Sequence, residues 1–276
     1  MNNGSFLFCQ PCNKEYEVKN GVYNFVNTSD IPPHLRGQIK YFEDDKIIAT
    51  MEYKLDPWQK SYLSRFLVNT PSMHGKLVID CGCGSAYMTL ELAKRGAFVV
   101  AIDLSMRSLV RLKVIATQLN LNNRILCVCS TAEVLPIQAG AASTFISNAV
   151  LEHLPDELSA ISEMNRTTVN DAYLMLTVPL SYRFLNPILM PLNWIHDKQI
   201  GHLRRYDENS IFKKFNEWSI LRTYFTGHTL KVIKTIVNMV YPIFDLKRIE
   251  QIDELCSSNK YWASNVICFL KKRANK

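Results

Sequence analysis

Asp80-Cys81-Gly82-Cys83-Gly84 places an acid and two glycines between an apolar run, Leu77-Val78-Ile79, and a helical pattern from Ala86 to Arg95. Glycines at the exit of a strand let the backbone turn tightly and come close to a ligand. A dinucleotide fingerprint would need a third small residue three positions after the second glycine, and Tyr87 stands there. Asp80 would repel a pyrophosphate, whereas it suits a ligand carrying an amino group and a sulfonium. A second acid, Asp103, closes the next apolar run, Ala97 to Ile102. A carboxylate there can accept both hydroxyls of an adenosine ribose. It could also cap the helix that follows, a task open to Ser105 as well.

These residues need a scaffold, and the periodicity supplies one. Apolar runs at 77–79, 97–102, 125–129, 144–147 and 172–178 alternate with helical patterns at 86–95, 104–119 and 156–168. Such alternation predicts βαβ units, and continuous apolar strands predict a sheet covered on both faces. The expected fold is α/β: a Rossmann-like, doubly wound, mostly parallel seven-stranded sheet with helices on both faces. Residues 1–30 read as a small separate piece, 31–75 as a helical cover with Trp58, Tyr62 and Phe66 at helical spacing, and 76–276 as the main domain. Within it, 180–206 carry little periodicity and would cover a substrate; 226–258 read as a helical insertion before a last strand, Trp262 to Leu270.

Asp80-Cys81-Gly82-Cys83-Gly84, Asp103-Leu104-Ser105, Ala132-Glu133-Val134-Leu135-Pro136 and Asn148-Ala149-Val150-Leu151-Glu152-His153-Leu154 stand in the order and spacing of a known family. Over roughly residues 76–180 the chain resembles the class I S-adenosylmethionine-dependent methyltransferases of the ubiquinone/menaquinone-biosynthesis type, the methyltransferase type 11 group. The resemblance implies S-adenosyl-L-methionine as cofactor. It implies that Asp80, Gly82, Cys83 and Gly84 face its methionine part, and that Asp103 and Leu104 meet the ribose. Thr131, Ala132 and Glu133 would hold the adenine, and Asn148 would close over the sulfonium side. Two positions depart from the family pattern: Thr131 replaces an acid that usually bonds the adenine amino group, and Ser143-Thr144 replaces an acid at the start of the fourth strand. They keep open a non-catalytic S-adenosylmethionine-binding protein.

Methyl transfer from a sulfonium is an in-line displacement in which the cofactor supplies reactivity and the protein orientation. A base is needed only for a protonated acceptor, and no metal is required. His153 and His202 are the catalytic candidates, as bases or positioning groups; a histidine bonded to backbone at a helix start is the plain alternative for His153. In Gly201-His202-Leu203-Arg204-Arg205-Tyr206, residues Arg204, Arg205 and Tyr206 could bind a phosphate or carboxylate of the acceptor. The two arginines could equally pair with acids and lock the loop. Asp197 is placed to orient His202. The apolar stretch Phe184 to Ile195 reads as a lid, or as a peripheral contact with a membrane or hydrophobic substrate.

The acceptor class expected is a small or amphiphilic molecule, saccharide-, lipid- or quinone-like. Lys and Arg number 32 against 25 Asp and Glu, a formal charge of +7. That allows an RNA methyltransferase, but no basic stripe interleaved with aromatics favours nucleic acid as a partner. No secretory leader and no run of ~20 apolar residues is visible. The eight scattered cysteines fit a reducing, cytoplasmic setting. Cys9-Gln10-Pro11-Cys12 resembles half of the small zinc-ribbon modules often fused to such enzymes. A structural zinc needs four ligands, so the pair is read as a metal-free remnant or as half of a site completed by another chain.

Overall fold

A computed structural model of the chain describes residues 5–10, 12–26, 31, 33–43, 53–233 and 246–274. The fold is Rossmann-like α/β. It divides into two compact units. The first comprises Met1–Lys54, Met73–Ile146 and Asp156–Ala172; the second comprises Leu55–Ser72, Ser147–Pro155 and Tyr173–Lys276.

The first unit holds β1 (Ser5–Cys9), β2 (Lys14–Lys19), β3 (Val22–Asn24), β4 (Leu77–Cys81), β5 (Phe98–Asp103), β6 (Ile125–Cys129) and most of β7 (Ala142–Asn148). They lie in the order β1-β2-β3-β6-β5-β4-β7. Strands β4, β5, β6 and β3 are mutually parallel where they pair. Val78, Ile79, Val99, Val100, Ala101 and Ile102 are buried, and each large aliphatic side chain contributes about 1.5–3 kcal/mol on leaving water. Helix α3 (Tyr87–Lys94) lies against β5, and α4 (Met106–Gln118) against β5, β6 and β3. Ser105 is the N-cap of α4, accepting from the Ser108 amide at 3.1 Å. Asp156 does the same for α5 (Glu157–Thr167) through the Ser159 amide.

The second unit holds α2 (Pro57–Asn69), most of β8 (Thr168–Pro179), α6 (Met190–Ile200), α7 (Glu208–Lys214), β9 (Trp218–Thr226), α8 (Leu246–Leu255) and β10 (Asn265–Lys272). Helix α1 (Pro33–Phe42) belongs to the first unit. Strand β10 runs antiparallel to β8 on one side and to β9 on the other. Asp207 caps α7 through Ser210, as an acid at a helix start should. Among the described residues no helix is long and apolar enough to cross a membrane.

The structure differs from the sequence expectation in two places. Among the described residues the strands number ten, not seven, because β1, β2 and β3 add to the expected set: β3 pairs parallel with β6, so these three strands extend the sheet of the first unit. Cys12 Sγ lies 3.6 Å from the Tyr16 hydroxyl and 4.0 Å from the Cys9 carbonyl, and no three-ligand group forms around the pair among the described residues. Residues 180–206 contain a helix, α6, where none was expected; Pro191 fits its first turn, and left-handed Gly201 ends it. Part of the expected insertion at 226–258, residues 234–245, lies outside the described residues.

Candidate functional site

In the first unit the candidate cofactor residues converge at the ends of β4, β5 and β6. Asp80 and Ala101 are register partners, as are Asp103 and Cys129, so the two acids sit at neighbouring strand ends. The chain leaves β4 through Gly82 at φ +73° and Gly84 at φ +48°, left-handed angles that cost a side-chain-bearing residue about 1–2 kcal/mol each. Gly82 and Cys83 donate to the Ile102 carbonyl at 2.8 and 3.0 Å, which ties the turn to β5. A Cβ on Gly84 would meet only the Gly82 carbonyl, at 4.0 Å, so this side of the turn is open. Ala86 also takes a left-handed angle, φ +59°, and no side chain caps the helix start it forms.

The two acids behave differently from free carboxylates. Asp80 is buried and accepts from the Thr89 hydroxyl at 2.6 Å; burial pushes it up to about 6. Asp103 accepts from the Gly84 amide at 2.8 Å and the Ser105 amide at 2.9 Å. Burial raises it too, against the pull of those amides. The helix-cap role passes to Ser105. A carboxylate offers about four lone-pair sites, so Asp103 retains capacity for ribose hydroxyls. Leu104 follows it, its carbonyl 3.7 Å from the Cys129 thiol.

Thr131, Ala132 and Glu133 form the turn after β6. Ser130 Oγ holds this turn through the Val134 carbonyl at 2.8 Å. Helix α5 clamps the following segment: Glu163 accepts from the Leu135 amide at 2.6 Å, and Arg166 donates to the Leu135 and Ile137 carbonyls. Glu133 is raised by burial, and its Oε2 is buried without a hydrogen-bond partner. The thiols beneath the turn are buried: Cys81 and Cys83 are raised well above the ordinary thiol range by burial, and Cys127 and Cys129 are pushed up to about 11 and about 12.

The second unit gathers the catalytic candidates. His153 ends a single 3-10 turn, Leu151–His153, and His202 follows α6. The Leu203 amide donates to the Glu152 carbonyl at 2.8 Å, joining the two segments. The imidazoles of His153 and His202 meet edge to face, their centroids 4.7 Å apart. Glu152 belongs to this group: its Oε1 is 3.7 Å from His202 Nε2. Only 1% of Glu152 is exposed, Oε2 has no hydrogen-bond partner, and burial pushes the carboxyl up to about 8. Ser147 Oγ and Thr177 Oγ1 are likewise buried without partners.

Asp197 orients His202 as expected, accepting at 2.9 Å from Nδ1. The same carboxylate accepts from Arg205 at 2.6 and 2.8 Å and from the Tyr182 hydroxyl. Those donors hold it well below the usual carboxylate range despite its burial. Arg204 donates to the Leu151, Leu154 and Pro155 carbonyls. Tyr206 is buried, and its backbone bonds Pro179 and Ser181. The geometry of Arg204 and Arg205 is thus the loop-locking alternative. Asn148 lies at the end of β7, in the second unit. Ile188, Leu192, Trp194 and Ile195 are exposed.

Residues 79–176 match the family model described as methyltransferase domain. The chain is similar to the ubiquinone biosynthesis O-methyltransferase of Dechloromonas aromatica (strain RCB): 32% identical over 119 residues, which are 41% of this chain and 50% of that protein. The chain thus spans about half the length of the curated relatives it matches. Among solved structures it resembles geranyl diphosphate C-methyltransferase from Streptomyces coelicolor A3(2), with TM-score 0.65 and 13% identity, covering 87% of this chain and 98% of that one. It also resembles the [4+2]-cyclase SpnF, with TM-score 0.59 and 16% identity, covering 81% of this chain and 87% of that one.

Proposed function

We propose that this chain, whose residues 79–176 belong to the methyltransferase domain family, transfers a methyl group from S-adenosylmethionine to a small or amphiphilic acceptor. The observation that carries the reading is the pair of buried acids at neighbouring strand ends around an open glycine turn. Asp80 supplies a buried carboxylate for a cationic ligand. Asp103 fixes the turn through Gly84 and offers its remaining lone pairs to ribose hydroxyls. Thr131, Ala132 and Glu133 line the adenine side, and Asn148 is assigned to the sulfonium side.

His153 and His202 are assigned to the acceptor, as base or positioning groups. Arg205 acts through Asp197 on His202 and is a positioning residue; Arg204 fixes the 151–155 segment, and Tyr206 anchors the loop to the end of β8. The acceptor class is quinone- or prenyl-like, a choice supported by the names of the similar O-methyltransferase and C-methyltransferase. The exposed apolar residues of α6 suit an amphiphilic acceptor or a peripheral membrane contact. A cytoplasmic setting accords with eight free cysteines and no disulfide among them.

A second reading, binding of S-adenosylmethionine without methyl transfer, is favoured by the likeness to a cyclase of the same fold. Calorimetric titration of the purified chain with S-adenosylmethionine, with NAD and Asp103→Ala as controls, tests the common premise. Micromolar binding that Asp103→Ala abolishes and NAD does not reproduce is expected; a folded wild-type chain that binds no S-adenosylmethionine would sink both readings. Release of S-adenosylhomocysteine in the presence of quinol acceptors then separates them.

A further inference from the structure

Helix α2 carries three polar atoms that are buried and, among the described residues, have no hydrogen-bond partner: Ser61 Oγ, Arg65 Nη1 and Arg65 Nη2. Ser61 is 4% exposed and Arg65 is 8% exposed. Four positions apart, they share one face of the helix. A guanidinium is seldom buried without an acceptor, because a charge taken out of water needs a partner. Both residues belong to the second unit, as do all the groups around them named below.

The surroundings hold the guanidinium in place without supplying that partner. Its Cζ lies 5.0 Å from the centre of the Tyr224 ring on β9. Such stacking uses the flat face of the cation and leaves the N–H bonds, which lie in its plane, to other acceptors. Asn69 fixes the ring beside the helix. Its amide donates to the Tyr224 hydroxyl at 3.0 Å and to the Arg65 carbonyl at 2.7 Å.

Helix α8 lies against α2 and brings Glu250 and Asp253, whose charges act together with that of Arg65 on the Tyr62 hydroxyl. Both carboxylates are engaged by other cations. Asp253 faces His228 Nδ1 at 2.7 Å and accepts from Lys231 at 3.2 Å, and Glu250 accepts from Lys231 at 2.9 Å. His228 Nε2 faces a second acceptor, the Asn259 carbonyl, at 2.8 Å. An imidazole with an acceptor at each nitrogen is held in its charged form. Burial opposes that charge, but Asp253 and Asn259 raise the imidazole above its ordinary value. Arg65, His228 and Lys231 thus set three cations against two carboxylates, and the excess positive charge falls on Arg65.

We propose that Arg65 and Ser61 bind a phosphate-type oxyanion, either inorganic phosphate or the phosphate group of a small monoester. A guanidinium donates two parallel hydrogen bonds to such a group. A carboxylate has two oxygens, and that fork takes both. A phosphate has a further oxygen for the Ser61 hydroxyl. Bound there, the anion balances the cluster and fixes Arg65 against Tyr224, and with it α2 against β9. The site is a structural ligand site of the second unit and does not depend on the methyl-transfer reading.

The test titrates the full chain, dialysed free of phosphate, with inorganic phosphate, phenyl phosphate and acetate in a calorimeter. Ionic strength is held constant with chloride, so that general screening does not change. Saturable binding of one equivalent of a phosphate is expected, with a rise of the denaturant midpoint at saturation. Tighter binding of inorganic phosphate identifies the free ion as the ligand, and tighter binding of phenyl phosphate a monoester. Ser61→Ala should weaken binding about tenfold, the loss of one hydrogen bond to a charged group. Arg65→Met keeps much of the side chain's length and removes the fork; it should abolish binding, with folding checked by circular dichroism. If that variant fails to fold, Arg65→Lys decides, since it keeps the charge, loses the fork and should bind more weakly. The proposal is overturned if the wild-type chain binds neither phosphate, if acetate binds more tightly than both, or if a folded Arg65 variant binds phosphate as the wild-type chain does.

Discussion

Two pairs of aspartates, one pair in each unit, are treated in opposite ways. In the second unit Asp197 receives Arg205, Tyr182 and His202, and Asp253 receives Thr226, His228 and Lys231. Both are held below the usual carboxylate range by those donors. In the first unit Asp80 has one hydroxyl donor and Asp103 two backbone amides, and both are raised by burial. A carboxylate whose donors come from charged side chains of its own chain is spent on holding the fold. A buried carboxylate left short of donors is costly unless something else neutralises it. The first kind marks a scaffold, and the second suits a ligand, which supports the cofactor role proposed for Asp80 and Asp103.

The sharpest way to break the contrast is Asp197→Ala. It strands the Arg205 guanidinium, whose side chain is 7% exposed. Losing one partner of a buried pair typically costs about 3–5 kcal/mol, so a large drop in midpoint is expected in denaturant unfolding. An unchanged midpoint would mean that Asp197 is not a structural anion. Asp103→Ala comes next. Removing the carboxylate from ribose and from the turn should weaken S-adenosylmethionine by about 100-fold, equivalent to about 3 kcal/mol, while denaturant stability falls far less than in Asp197→Ala.

A third effect is a pH dependence. With its pKa raised to about 6, Asp80 favours the protonated fold. That stability is present at acid pH and is lost as pH rises from the ordinary carboxyl range through about 6. A cationic ligand has the opposite preference, since it binds the ionised form. S-adenosylmethionine affinity should therefore rise as pH increases through about 6, by about tenfold per unit below it, and then level off. Flat affinity from acid to neutral pH would remove Asp80 from the site. The smallest effect is that of Thr89→Val, which deletes the hydroxyl donated to Asp80. A loss of about 1 kcal/mol is expected, together with an upward move of that pH midpoint; a midpoint that stays still or falls would contradict the assignment.

How much of this was legible in the sequence depended on distance along the chain. The strands β4, β5 and β6 and the turn at Gly82 and Gly84 are local patterns, and they stand where the periodicity put them. Ser105, Asp156 and Asp207 cap helices as their residue types suggest. Helix α6 was hidden because apolar residues such as Met190, Leu192 and Ile195 and polar ones such as Asn193 and Lys198 share its sides without a clear stripe. The union of β3 with β6 was hidden because Val22-Tyr23-Asn24 is too short to carry a period. Glu152 beside His153 was visible, but its approach to His202 is a tertiary fact. No spacing rule links the two.

The buried cysteines have a practical consequence. Cys12 and Cys256 are exposed, whereas Cys81 and Cys83 lie under the glycine turn with thiols raised far from ionisation. A thiol reagent should thus label the exposed pair at once and the inner pair only when the turn opens, because the thiolate is the reacting form. Incorporation at Cys81 and Cys83, followed by peptide mass spectrometry, becomes a clock for local opening at the very place where the cofactor is assigned. Saturating S-adenosylmethionine should slow that clock while leaving the labelling of Cys256 unchanged, so the chain carries its own occupancy gauge without a single added probe.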